Sequence, residues 1–77
     1  MPSITVDGFQ IRIIPGDHGP AHVHVVGRSG AAIFIVSPNI VLRDAGSMSR
    51  ADRRKAARAI LSVHDELIVL WEQYGKE

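Results

Sequence analysis

Cysteine is absent from this 77-residue chain, which excludes disulfide bridges and thiolate metal sites. Aromatic residues are scarce, at 5% against 45% hydrophobic residues overall, so the core must be built mainly from Ile, Val, Leu and Ala. No apolar run approaches the roughly 20 residues that span a bilayer. Met1-Pro2-Ser3-Ile4 has neither the basic flank nor the apolar stretch of a secretory leader. The expectation is a cytoplasmic protein with no membrane partner. An excess of one charge is missing too, with 9 Lys and Arg against 8 Asp and Glu, so net charge points neither toward nor away from nucleic acid. There is no P-loop, no dinucleotide fingerprint, and no legible Ser or Cys nucleophile with an adjacent base.

What is present suits one small domain, residues 1–77. A chain this short buries only roughly 60% of the surface its unfolded form exposes. Much apolar sequence with little interior predicts a homo-oligomer. Residues 4–14 read as an opening strand or hairpin, with a turn signal at Asp7-Gly8. Phe9, Ile11 and Ile13 alternate with Gln10 and Arg12, the period of a strand with one buried face. Pro15-Gly16-Asp17 ends it, and His18-Gly19-Pro20 is a loop. Residues 21–26 form the next strand, with Ala21, Val23 and Val25 on one face and His22, His24 and Val26 on the other. Gly27-Arg28-Ser29-Gly30 turns the chain. Residues 31–36 are apolar on both faces and read as a central strand covered on both sides. After Ser37-Pro38-Asn39, residues 40–43 make a short last strand.

The final third reads as one long helix, from about 50 to about 74. Ser49 is its N-cap, Asp52 is the acidic partner three residues on, and Gly75 is its stop. Ala56, Ile60, Val63, Leu67, Leu70 and Tyr74 form an apolar stripe that should pack on the sheet. A second row, Ala57, Leu61, His64, Ile68 and Trp71, runs beside it. Arg54, Arg58, Asp65 and Glu72 mark the solvated side. The fold class is α+β: a two-layer sandwich in which an antiparallel β-meander of three to five strands, within residues 4–43, carries one long C-terminal helix.

Three of the four histidines, His18, His22 and His24, fall within seven residues. Imidazole changes charge near neutral pH and binds borderline metals. His22 and His24 share one strand face, about 7 Å apart along it, a spacing that suits two ligands of one metal or a pair gripping a phosphate. Asp17 and His18 precede them on the loop. A firm metal site needs three or four ligands, and this strand supplies two. His-φ-His-φ lacks the third histidine of the histidine-triad hydrolases, because Val26 stands there. A helix laid over the histidine face would bring His64 into the group; the bland role for His64 is a packed ring with one partner. Arg50, Arg53, Arg54, Lys55 and Arg58 place five cations in nine residues at a helix start, where the macrodipole disfavours them. Phosphates of nucleic acid or an acidic protein partner would want them there; the plain alternative is a solvated face.

Asp17, His18, Pro20, His22 and His24, followed by further strands and then His64, Asp65, Glu66, Leu67 and Trp71, resemble a small bacterial family known as a domain of unknown function, DUF4160. Its first motif looks like Asp-His-x-Pro-Pro-His-x-His and its closing helix like His-x-x-Glu-Leu…Trp. Nearly the whole chain is covered. Ala21 stands where the second proline is usual. Val25-Val26-Gly27-Arg28 replaces a more acidic and aromatic stretch, and Phe34 stands where an acid is common. Some members resemble the toxin half of toxin–antitoxin pairs, which implies a small cognate protein partner.

The leading reading is a toxin–antitoxin-like component acting through a protein partner, and through nucleic acid if the basic helix start is used. Its polar site is His18, His22 and His24, supported by Asp17, His64 and Trp71, in a proton-transfer or phosphate-contact role. A second reading is a metal-binding or metal-dependent hydrolase domain, with a divalent ion on His22 and His24. A third is a non-catalytic interaction domain whose histidines brace the sheet.

Overall fold

Asp7 and Gly8 both adopt positive φ, 52° and 82°, the left-handed pair of a tight hairpin turn whose twist matches its strands. That turn joins β1 (Ser3–Val6) to β2 (Phe9–Arg12). Then follow β3 (His22–Val26), β4 (Ala31–Ile35) and β5 (Val41–Asp44). The five strands lie side by side in chain order, each antiparallel to the next. This computed structural model describes residues 2–14 and 19–75. The expected meander is present at the upper end of the expected strand number.

Alternation decides what the sheet buries. Phe9, Ile11, Ile13, Val23, Val25, Ala32, Phe34 and Val36 are buried and join one core with residues of the helices. The opposite face of β4 departs from expectation. Ile33 and Ile35 are only half-buried, so this strand is not closed over on both sides. Both phenylalanines and the single tryptophan lie in the core beside the aliphatic residues, whereas Tyr74 is exposed.

The long helix is a correction. It divides into α1 (Arg50–Ser62) and α2 (His64–Leu70), followed by a closing π-helical turn, Trp71–Gly75. The break lies at Val63, whose backbone leaves the helical region (φ −123°, ψ 22°). Ser62 Oγ donates to the Ala59 carbonyl at 2.7 Å, the acceptor that the Val63 N–H would use in an unbroken helix. That N–H turns instead to the Ile60 carbonyl at 3.2 Å. A serine bonding back to its own helix competes with the ladder in this way.

The two apolar rows are corrected as well. Ala56, Ile60 and Leu67 are buried as expected, and Ala59 joins them. Leu61, which precedes the break and lies off the buried Ala56, Ala59 and Ile60 side of α1, is 67% exposed, and Tyr74 in the closing turn is 41% exposed. Gly75 does not serve as a left-handed stop. It is buried in the closing turn, where a Cβ would run into the Trp71 indole.

The N-cap is as expected but has a third member. Ser49 Oγ accepts from the Asp52 N–H at 3.2 Å. Asp52 does not reach back to Ser49 directly. Ser29, on the β3–β4 turn, bridges them: its Oγ accepts from the Ser49 N–H at 3.0 Å and donates to Asp52 Oδ2 at 2.6 Å. The turn thereby pins the start of α1 to the sheet.

Candidate functional site

The β-strand period puts His22 and His24 on the same face of β3, and their ring centroids lie 5.6 Å apart, tilted by 53°. His22 is buried and His24 half-buried. His22 Nδ1 donates to the Pro20 carbonyl at 2.9 Å. In the neutral ring this assigns the proton to Nδ1 and the lone pair to Nε2. The Trp71 ring lies against His22, with centroids 5.1 Å apart, so the indole forms an apolar wall beside the buried imidazole.

His24 sits opposite Arg12 across the β2–β3 pairing and opposite Ile33 across the β3–β4 pairing. The Arg12 guanidinium donates twice to Gln10 Oε1, at 3.1 and 2.8 Å, which orients it along the strand. The sheet face at this point therefore carries a cation, an accessible imidazole and a buried imidazole in sequence. Such a row can hold an anionic group against Arg12 and His24 while His22 orients its neighbour. Arg12 was not among the expected site residues. Its alternation with Ile11 and Ile13 placed it on a polar face with Gln10, but only the strand register places it beside His24.

His64 takes the bland role. Its Nε2 donates to the Val36 carbonyl at 2.6 Å, and its Nδ1 stands 4.0 Å from the exposed Asp65 carboxylate. It ties the start of α2 to the end of β4. Trp71 is brought to the histidines as expected. Asp17 and His18 lie outside the described residues. Among the described residues no group of three or more His, Asp or Glu is arranged to hold a metal ion, so His22 and His24 have no third ligand there.

The basic start of α1 divides between two sides. Arg50, Arg53 and Arg54 line a groove of about 340 Å³ with Phe34, Ile40 and Leu42. Lys55 and Arg58 line a smaller hollow with Asp7 and Phe9. Phe34, where an acid was expected, is a core residue beneath the groove, 3% exposed. No described helix is long and apolar enough to cross a membrane.

A family model described as a domain of unknown function, DUF4160, matches residues 8–72. No curated protein and no solved structure matches the chain.

Proposed function

Because the chain belongs to the DUF4160 family of domains of unknown function, we propose that it works as one component of a small bacterial toxin–antitoxin-like pair, acting through a cognate protein. Its polar site is the His22–His24 pair. The observation that carries this reading is the oriented imidazole pair itself: one ring buried with its tautomer set by the Pro20 carbonyl, the other reachable, 5.6 Å away. The more accessible ring is set beside Arg12 on the sheet face. That arrangement favours proton transfer or phosphate contact by His24, with His22 and Trp71 positioning it.

The test is growth of a bacterial host on expression of the chain. Arrest is expected, relieved by His24→Ala and by the His22→Ala plus His24→Ala pair. Arrest that survives both changes removes the pair from the mechanism. Normal growth with the unaltered chain sets aside the toxin role.

One observation favours the non-catalytic interaction domain as a second reading. Two histidines, His22 and His64, each donate a ring N–H to a main-chain carbonyl. This reading expects His22→Ala to lower thermal stability while partner binding survives in the folded fraction.

A further inference from the structure

The groove beside the last strand has features that the histidine site does not use. β5 is the edge of the sheet, and all four of its residues are exposed. Val41 and Leu42 are 51% and 38% exposed. An edge strand offers a row of backbone donors and acceptors to an incoming extended segment. Next to it, Phe34, Ile40 and Leu42 give the groove an apolar floor, and Arg50, Arg53 and Arg54 give it a cationic wall. Among the described residues no carboxylate forms an ion pair with these three arginines. The Arg53 Nε is buried and lacks a hydrogen-bond acceptor, a costly state for a charged donor.

We propose that this groove and the β5 edge bind an extended acidic segment of a protein partner, added to the sheet as a further strand. The inference rests on the partner half of the function proposed above and names that partner's chemistry. Side chains of an added strand alternate between faces. Those on the helix side meet the groove, so the segment carries acidic–x–aliphatic–x–acidic: the aliphatic residue on Leu42 and Ile40, the carboxylates on the guanidiniums. Guanidinium binds carboxylate through paired, charge-assisted hydrogen bonds, and such a carboxylate supplies the acceptor that Arg53 lacks. A nucleic acid fits the floor less well. No aromatic residue is exposed there to stack on a base.

The experiment is a display selection of random peptides, about ten residues long to exceed the usual strand, on the purified full chain. Enriched peptides should carry two carboxylates flanking an aliphatic residue at a spacing of two. Their synthetic forms should lose about tenfold or more in affinity on Arg50→Gln plus Arg54→Gln. Backbone N-methylation on the edge-facing side should weaken them similarly. Both arginines are exposed, so the variant should keep its fold, checked by the emission of the single tryptophan. Failure to enrich such peptides, or equal binding to the variant, overturns the proposal. So does single-stranded RNA of about 20 nucleotides that binds more tightly than the peptides and with the same arginine dependence. These outcomes leave the growth test of His24 untouched, so the two readings fail separately.

Discussion

Single residues in this protein carry more than their type suggests because the domain is small. Gly75 is required by volume, since the Trp71 indole occupies the space a Cβ would take. Gly75→Ala should displace the indole from His22 and destabilise the fold by about 1–3 kcal/mol, the usual cost of overpacking. Because the chain has 1 tryptophan, its emission reports the displacement directly: a red shift is expected, and an unchanged spectrum and melting temperature would refute the packing argument. His64 is a connector whose value lies in one bond. His64→Phe keeps an aromatic ring but leaves the Val36 carbonyl without its donor, and should cost about 1–3 kcal/mol. Chemical denaturation measures it, and a loss near zero would mean that water replaces the imidazole. At this scale the site was partly legible. The strand period put His22 and His24 on one face, and Trp71 was expected in support. The Arg12 neighbour and the main-chain partners of His22 and His64 were not legible, because each depends on a register or a contact outside the local sequence.

At the scale of elements, the C-terminal segment shows how one side chain overrides a long periodic pattern. The apolar spacing continues through residues 56–74, yet Ser62 captures the Ala59 carbonyl and the helix breaks at Val63. Within α1, ahead of that break, adjacent leucine-sized residues differ sharply. Ile60 is fully buried and Leu61 is 67% exposed. Ile60→Ala should cost about 2–5 kcal/mol, whereas Leu61→Ala should stay within about 0.5 kcal/mol. Comparable losses for the two would mean that Leu61 is buried as well and would restore the wide apolar face. The start of α1 depends on a residue from another element. Ser29→Ala removes both the acceptor of the Ser49 N–H and the donor to Asp52, and should cost about 1 kcal/mol in an equilibrium unfolding series, similar to the loss of an N-cap side chain.

For the whole molecule, one mixed aliphatic and aromatic core joins the sheet to both helices. Stability of roughly 0.05–0.15 kcal/mol per residue leaves little margin, so a single large-to-small change in this core removes a substantial share of it. Association of copies, expected from the apolar composition, is a proposal with its own test. If copies associate in the folded state, the melting temperature rises with protein concentration; a value independent of concentration over about two decades leaves a monomer. The sequence by itself determined an antiparallel meander of three to five strands, the Asp7-Gly8 turn, the Ser49 cap and the face shared by His22 and His24. Those features rest on side-chain alternation, turn conformation and capping, which act within a few residues. Tertiary structure alone decided that Ser29 completes the cap 23 residues away at Asp52 and that His64 holds a carbonyl 28 residues back. It also decided that Arg50, Arg53 and Arg54 flank an apolar groove at the sheet edge. Those arrangements depend on which strands and helices meet, and packing of the shared core selects that from among partners the local sequence cannot distinguish.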